Sequence, residues 1–222
     1  MQDILDVYTR PYDARFPQVC MDEGAKLLLQ DKREHLPMQP GQPERIDYTF
    51  ESAGMQKLFL ACEPLAGKRF VAVTKRRTSE DWACFIREIV DVHYSTAEKI
   101  VLVMDNLNTH TPSSLYQTFA PAEARRILQK REIHYTPVHG SWLNMAEIEL
   151  SALARQCLSR RIGAQEELKR EVQAWQQQRN GEAITVNWRF TTADARIKLK
   201  RFYPSLEKKK SLSSTKSVAK NG

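Results

Sequence analysis

Residues 100–105 read Ile100-Val101-Leu102-Val103-Met104-Asp105, an apolar run that ends on a carboxylate. A strand with one solvated face alternates apolar and polar residues, whereas this run is unbroken. It therefore predicts a central β-strand that is buried on both faces. Such a strand is typical of an α/β fold, in which helices cover both sides of the sheet.

The residues before this strand predict a β-rich front followed by a helix. A short buried strand is predicted over 19–21, and two strand-like runs over 57–62 and 69–74 are separated by a turn segment, which indicates a hairpin. Thr78 or Ser79 then caps a helix whose apolar residues recur at helical spacings. The predicted order is therefore strand, hairpin, helix, strand.

The residues after the central strand predict further helices and one more strand. A helix is predicted over 122–130, a short strand over 133–136, and two helices over about 145–160 and 164–179. No internal repeat is visible. The whole pattern predicts an α/β domain with a mixed sheet and flanking helices.

The 222 residues are enough for one sizeable α/β core. We predict an extended lead-in over 1–17, a folded domain over 18–205, and a disordered basic tail over 206–222 that is nearly free of apolar residues. Three prolines and a glycine in 36–43 predict a loop.

Several protein classes are disfavoured by composition. No run approaches the roughly 18 apolar residues of a membrane span, and the first residues lack a signal-peptide pattern. The four cysteines are far apart and form no zinc-ligand spacing, so we interpret them as reduced and mostly buried. A cytoplasmic protein is expected.

The net charge of +7 is unevenly distributed. Residues 1–110 carry 14 Lys and Arg against 17 Asp and Glu, whereas residues 111–222 carry 20 against 10. The second half is therefore expected to face a polyanion, although a solvated basic surface is an alternative. The candidate phosphate-binding residues fall in three clusters: Arg125, Arg126, Lys130 and Arg131; Arg155, Arg160 and Arg161; and Arg196, Lys198, Lys200 and Arg201.

Two aspartates follow apolar runs. Asp22 follows Gln18-Val19-Cys20-Met21, as Asp105 follows Met104. In an open α/β sheet, ligands gather at the carboxyl ends of adjacent strands. Each aspartate is therefore a candidate binding residue, although a turn former or a helix cap explains either one taken alone.

A third acid, Glu147, lies near the start of a predicted helix. The spacing of the nearby apolar residues predicts that Glu147 lies on a core-facing stripe, made by Leu143, Ala146, Leu150, Leu153 and Cys157. A carboxylate facing the core needs a strong partner. Alternatively, Asn144 is the N-cap and Glu147 the reciprocal residue of a capping box, and both can hold. Glu149 is predicted to point away from the stripe and is left out of the site.

Three carboxylates held around one point are suited to a pair of divalent cations that act on a phosphodiester. We therefore expect Asp22, Asp105 and Glu147 to be both metal ligands and catalytic residues. Because carboxylates are hard ligands, Mg²⁺ is the expected cofactor, with Mn²⁺ as a substitute.

Three segments resemble a known family. They are Cys20-Met21-Asp22-Glu23, Val103-Met104-Asp105-Asn106 with the following His110, and His139-Gly140-Ser141-Trp142-Leu143-Asn144-Met145-Ala146-Glu147-Ile148. These strings resemble the catalytic signatures of bacterial insertion-sequence transposases of the mariner-related branch, in the DDE superfamily. The resemblance covers roughly residues 5–205. Asp22 and Asp105 match the two aspartates of the family, and Glu147 matches the closing glutamate.

The resemblance implies an RNase H-like fold over 18–205 and a metal-dependent DNA transposase. The implied activity is cleavage of DNA at transposon ends, followed by strand transfer from the freed 3′ hydroxyl. The family places helix-turn-helix modules ahead of the catalytic domain, and we expect a catalytic domain without them. Two alternatives remain open: a catalytically inactive DNA-binding remnant of a decayed element, and an RNase H-like nuclease without strand transfer.

The expected partner is double-stranded DNA, at transposon ends and at the target. A homodimer and a separately encoded helix-turn-helix protein are further candidates, no membrane partner is expected, and the expected location is the nucleoid. We interpret His110 and His139 as surface or hydrogen-bonding residues. We interpret five aromatic residues as core or docking aromatics rather than base-stacking platforms, namely Trp175, Trp188, Phe190, Phe202 and Tyr203.

Overall fold

The computed structural model describes residues 1–32 and 49–200. The sheet has five strands: β1 (Gln18–Asp31), β2 (Phe50–Glu63), β3 (Lys68–Thr74), β4 (Ile100–Met104) and β5 (Arg131–Tyr135). Their spatial order is β3-β2-β1-β4-β5. The first three strands are antiparallel to one another, whereas β4 runs parallel to both β1 and β5. The mixed sheet agrees with the predicted α/β class.

Helices flank this sheet on both faces. They are α1 (Gln2–Tyr8), α2 (Ser79–Glu88), α3 (Pro112–Thr118), α4 (Pro121–Gln129), α5 (Ala146–Gln156), α6 (Gln165–Gly181) and α7 (Thr192–Lys198). A π-helical turn, Ile89–His93, continues α2, and a 3₁₀ turn, Ser141–Leu143, precedes α5. Among the described residues no helix has the length and apolar content to cross a membrane.

The central strand β4 separates two hydrophobic cores. Val101 and Val103 face the core that contains α1, α5 and α6, whereas Leu102 and Met104 face the core that contains α2 and α4. All five residues of β4 are buried. The prediction of a strand buried on both faces is therefore confirmed.

Local sequence signals account for α2. Thr78 is its N-cap, and its hydroxyl accepts a hydrogen bond from the backbone N–H of Asp81, 3.1 Å away, while the Asp81 carboxylate accepts from the backbone N–H of Thr78. This capping box satisfies two N–H groups that have no partner inside the helix. Trp82 and Ile86 on the inner face are buried.

Two predictions about the front of the chain are wrong. The lead-in over 1–17 is not extended throughout, because residues 2–8 form α1, and its Ile4 and Leu5 are fully buried. The strand predicted over 19–21 continues to Asp31, since it pairs with β2 from Cys20 to Asp31 with one irregularity between Leu27 and Leu29. The loop predicted over 36–43 and the tail predicted over 206–222 lie outside the described residues.

Candidate metal centre

The register of β1 and β4 brings the two aspartates to equivalent positions. Cys20 is opposite Val103 in this parallel pair. Two residues further along are Asp22, which is still within β1, and Asp105, which is the first residue after β4. Neighbouring strands are about 4.8 Å apart, so the two side chains leave adjacent points of the backbone.

The sequence suggested that the first strand ends before Asp22, but in the structure the strand continues past this residue. Asp22 lies within β1, opposite Leu60 of β2. The neighbour of β1 on the other side is β4, which has already ended at Met104. Asp105 and the loop that follows it therefore lie beside Asp22. The aspartates therefore lie at the carboxyl end of a parallel strand, where ligand sites are expected in α/β sheets.

Glu147 lies in the first turn of α5 and is exposed. The prediction that it lies on the buried stripe is wrong, because the buried face of this helix is formed by Ala146, Glu149, Ala152 and Leu153. The capping box is also not formed. Met145 is the N-cap, without a side-chain cap, and Asn144 instead accepts a hydrogen bond from the backbone N–H of Ala146, 3.1 Å from its Oδ1.

Asn144 ties the start of α5 to β1. It is buried, and its Nδ2 donates to the backbone oxygen of Met21 at 2.8 Å and to Oδ2 of Asp22 at 3.2 Å. Tyr8 adds a second tie from α1, since its hydroxyl donates to the backbone oxygen of Leu143 at 2.7 Å. These contacts fix the helix that carries Glu147 beside the strand that carries Asp22.

The pKa of Asp22 shows that the three acids influence one another. Burial raises it, the backbone N–H of Glu23 at 2.7 Å opposes that effect, and the negative charges of Glu147 and Asp105 raise it further, to about 6. A carboxylate in this position is poorly solvated and repelled by its neighbours. A cation placed among the three acids would relieve both effects.

His110 bridges two acids from inside the protein. Only 1% of its surface is exposed, its Nε2 lies 2.8 Å from Oε1 of Glu23, and its Nδ1 lies 2.7 Å from Oδ1 of Asp105 as an ion-pair contact. Burial lowers the pKa of His110, but the two carboxylates outweigh it and raise the pKa to about 9. His110 is therefore a buried cation rather than a surface residue, and its hydrogen bonding is as predicted. His139 is exposed, as predicted.

Glu23 points to the face of β1 opposite Asp22. Its side chain is 4% exposed, and besides His110 it meets Arg77, whose Nη1 is 2.9 Å from Oε2. The ring of Trp82 stacks on His110, with 5.4 Å between ring centroids. Glu23 and His110 thus form a buried network of charged groups that contacts Asp105 through His110.

Glu149, which the sequence excluded from the site, belongs to a separate buried ion-pair network. Its carboxylate accepts two hydrogen bonds of 2.9 Å from Arg69 and two of 3.1 Å from Arg179. Burial alone raises the pKa of Glu149, but the two arginines lower it overall. This acid joins β3, α5 and α6 and has no direct contact with the aspartates.

The residues present fit a divalent cation in their chemistry. Three carboxylates offer hard oxygen ligands, and the pKa of Asp22 is raised first by burial and then by the neighbouring acids, both of which disfavour its charged form in the absence of a cation. Within residues 1–32 and 49–200, however, no three His, Cys, Asp or Glu side chains converge closely enough to form a ready-made metal cage. The site is therefore two aspartates fixed by the sheet, with Glu147 on an exposed helical turn beside them.

Several of the candidate phosphate-binding residues are buried or paired within the protein. Arg131 belongs to β5 rather than to a helix and is buried, with its guanidinium carbon 5.5 Å from the ring centroid of Trp82. Arg126 pairs with Asp91, Arg160 with Glu171, and Arg161 with Asp31. Arg201 lies outside the described residues. Part of the basic surface is thus neutralised within the protein.

Sequence reasoning missed the supporting residues of this site. Glu23 and His110 are 87 positions apart, and no local pattern joins them. The sequence signal available for Glu23 was the alternation of side chains along β1, which places Asp22 and Glu23 on opposite faces of the sheet. Asn144 was predicted only as a helix cap, whereas its main contacts are with Met21 and Asp22.

Comparisons with known proteins agree with this geometry. A family model described as DDE superfamily endonuclease matches residues 17–169, a range that includes all three acids. Proteins of this superfamily generally use divalent metal ions. No curated protein matches the sequence.

One similar solved structure is the crystal structure of the Mos1 strand transfer complex. The TM-score is 0.53 and the identity 14%, with 82% of this chain and 54% of that chain covered. This similarity confirms the predicted RNase H-like fold. The chain spans about half the length of the Mos1 chain that it matches.

Proposed function

Because the chain belongs to the family of DDE superfamily endonucleases, we propose that it is the catalytic domain of a DNA transposase. Its reaction is metal-dependent cleavage of DNA at transposon ends, followed by transfer of the 3′ hydroxyl to target DNA. The observation that carries the proposal is the register of the parallel strands β1 and β4, which brings Asp22 and Asp105 to equivalent positions, with Asp105 and Glu147 both close enough to raise the pKa of Asp22.

Asp22, Asp105 and Glu147 are the proposed ligands of Mg²⁺, with Mn²⁺ as a substitute. When bound, a pair of such ions activates the attacking oxygen and stabilises the leaving oxygen of an in-line displacement. The two aspartates supply carboxylate oxygens from a rigid sheet. Glu147 supplies the third carboxylate from a helix that Asn144 anchors to the same sheet.

The remaining residues of the site orient these ligands. Asn144 donates to Oδ2 of Asp22, and the charged ring of His110 lies against Oδ1 of Asp105. Asn144 and the backbone N–H of Glu23 engage the two oxygens of Asp22, and His110 engages one oxygen of Asp105, so these contacts set the direction in which each carboxylate points. Since His110 is itself held by Glu23, the direction of the Asp105 side chain is set from the opposite face of the sheet.

The catalytic domain that we propose spans 18–205, with α1 packed on it from the preceding segment. The proposed partner is double-stranded DNA, in keeping with the ten-charge excess of basic residues in 111–222. A separately encoded helix-turn-helix protein and a second copy of the chain are proposed as further partners in recognising transposon ends. The proposed location is the cytoplasm, at the nucleoid.

A strand-transfer assay separates this proposal from the alternatives. A labelled duplex with a free 3′ hydroxyl is incubated with supercoiled plasmid, the full chain and Mg²⁺ or Mn²⁺. A transposase domain joins the label to plasmid DNA, whereas a nuclease without strand transfer only relaxes the plasmid. No reaction of either kind with both metals would contradict the proposed function and favour an inactive DNA-binding remnant.

The matched control for this assay is another acid in the first turn of a helix. Glu147 and Glu166 are both exposed and occupy the first turns of α5 and α6. Glu147→Gln is expected to abolish joining, while Glu166→Gln leaves it unchanged. Equal loss in both variants would mean that the effect is general rather than specific to the site.

A further inference from the structure

A large aromatic side chain stands half exposed beside the acid site. Trp142 is 47% exposed and lies in the 3₁₀ turn that leads into α5. The next residue, Leu143, is fully buried, and the residue after it, Asn144, bonds to Asp22. The turn that presents Trp142 to solvent is therefore the segment that anchors the catalytic helix.

Two other aromatic rings pack near the ring of Trp142. Trp188 stacks near it with 6.5 Å between centroids and an interplanar angle of 25°, and Phe190 meets it edge-on at 5.9 Å. Trp188 in turn packs on Tyr8 at 5.2 Å, and its Nε1 donates to the backbone oxygen of Phe190 at 2.8 Å. We call Trp142, Trp188, Phe190 and Tyr8 the aromatic platform.

Core packing does not explain the exposed half of Trp142. Leu143 already fills the core position of this turn. A ring that leaves half its surface in water gains only part of the free energy of burial. Because its neighbours hold it in place, however, little side-chain entropy is lost when a flat partner stacks on it.

The segment that carries Trp188 and Phe190 is positively charged, and Asp6 of α1 accepts a hydrogen bond from the hydroxyl of its Thr192. Residues 185–200 contain Arg189, Arg196, Lys198 and Lys200 against a single acid, Asp194. Asp194 is engaged as a helix cap, since its carboxylate accepts hydrogen bonds from the backbone N–H and the hydroxyl of Thr191. Lys198 lies over the ring of Phe190, with 5.6 Å between its Nζ and the ring centroid. A partner of this surface is therefore expected to combine a flat apolar face with negative charge.

We propose that Trp142 stacks on an unpaired nucleobase of the DNA strand whose phosphate occupies the acid site. A nucleotide has both required features, since its base offers a π-face and its phosphate a negative charge. Stacking of this kind tolerates any base. The inference rests on the proposed function, because it takes DNA as the substrate of the neighbouring acids. Trp188 and Phe190 remain docking aromatics, as interpreted from the sequence, and serve as the support of the stacking ring.

The test measures DNA binding without metal, so that catalysis plays no part. The full chain is titrated, in chelator, with a blunt duplex and with the same duplex carrying a short single-stranded overhang that contains 2-aminopurine. Wild type is expected to prefer the overhang DNA and to quench its fluorescence. Trp142→Ala is expected to weaken binding to the overhang by about 5- to 100-fold, with little change for the blunt duplex.

Tyr116 provides a matched control, because it is also 47% exposed but lies on α3. Tyr116→Ala is expected to bind both DNAs as wild type does. Trp142→Phe keeps a stacking ring and is expected to retain most of the preference, which separates loss of stacking from loss of folding. In Trp142→Phe the quenching of protein tryptophan fluorescence by DNA should shrink.

Two results would overturn the inference. One is an equal affinity of wild type and Trp142→Ala for the overhang DNA, and the other is an equal loss in Trp142→Ala and Tyr116→Ala. If the chain self-associates through Trp142 while its DNA binding is unchanged, the platform is a protein interface and the stacking proposal is wrong. Failure of strand transfer with intact, Trp142-dependent quenching would reject the proposed function but not the stacking.

Discussion

The replacement Asp22→Asn is expected to make the metal-free protein more stable above pH 6. The pKa of Asp22 is raised from 3.8 to about 6 by burial and by the nearby acids. A carboxyl group with a raised pKa in the folded state binds its proton more tightly there than in the unfolded chain. Below about pH 4 the carboxyl group of Asp22 therefore does not change the free energy of unfolding. Between about pH 4 and pH 6 it lowers this free energy progressively, and above about pH 6 it lowers it by the full amount.

The size of the effect follows from the same pKa. A rise from 3.8 to about 6 corresponds to about 3 kcal/mol at most. Because solvent reaches part of this carboxylate, we expect about 1–2 kcal/mol. For a chain of this length that is a rise in Tm of roughly 2–8 °C. Asparagine keeps one accepting oxygen, so it retains either the hydrogen bond from Asn144 or the one from the backbone N–H of Glu23 and loses the other, which is a further reason to expect less than the maximum.

The assay is thermal unfolding of both proteins in chelator at pH values from about 4.5 to 8. The difference in Tm between Asp22→Asn and wild type should grow with pH and level off above 6. Asp91 is the control of opposite sign, because its hydrogen bonds with Arg126 lower its pKa. Asp91→Asn should therefore destabilise. A lower Tm for Asp22→Asn than for wild type at pH 8, or a difference in Tm independent of pH, would show that the charge of Asp22 does not destabilise the metal-free protein.

Three further predictions concern the anchor, the buried ion pairs and the tail. Asn144→Ala removes two donated hydrogen bonds in a buried place and should cost about 1–3 kcal/mol in urea unfolding; an unchanged midpoint would show that the anchor is dispensable. Arg69→Met removes one partner of the buried Glu149 and should cost about 3–5 kcal/mol, whereas Arg126→Met breaks an exposed pair and should cost under about 1 kcal/mol; similar costs would contradict the assigned burial. Residues 208–222, which lie outside the described residues, contain five lysines and no acid. Their deletion should lower the logarithmic salt slope of DNA binding by about 0.9 for each phosphate that these lysines neutralise. Identical slopes for the full and shortened chains would exclude the tail from binding to DNA.

The elements that the sequence predicted correctly are those with strong local patterns. The unbroken run of β4, the hairpin of β2 and β3, and the capped helix α2 each carry their signal within about ten residues. Helix α1 was missed because seven residues hold too few turns to show a period, and its burial depends on distant elements.

The misplacement of Glu147 has a specific physical cause. The predicted stripe began at Leu143 and assumed one continuous helix. Leu143 belongs instead to a 3₁₀ turn, and the α-helix begins only at Ala146, so the helical phase counted from Leu143 does not apply. The two aspartates were found by residue type and by their position after apolar runs, whereas the contacts of His110 and Asn144 depend on tertiary structure that no local pattern contains.

Nicking of a supercoiled plasmid by single and double acid variants shows whether Asp105 and Glu147, which come from different elements, serve one metal-dependent site. The full chain is assayed with Mg²⁺ or Mn²⁺, beside Asp105→Asn, Glu147→Gln and the double variant, with Glu166→Gln as control. If both acids serve the same metal ions, each single variant loses nearly all cleavage and the double variant loses no more than either single one. Normal cleavage by Glu147→Gln, or a loss in the double variant equal to the product of two partial losses, would contradict a single shared site.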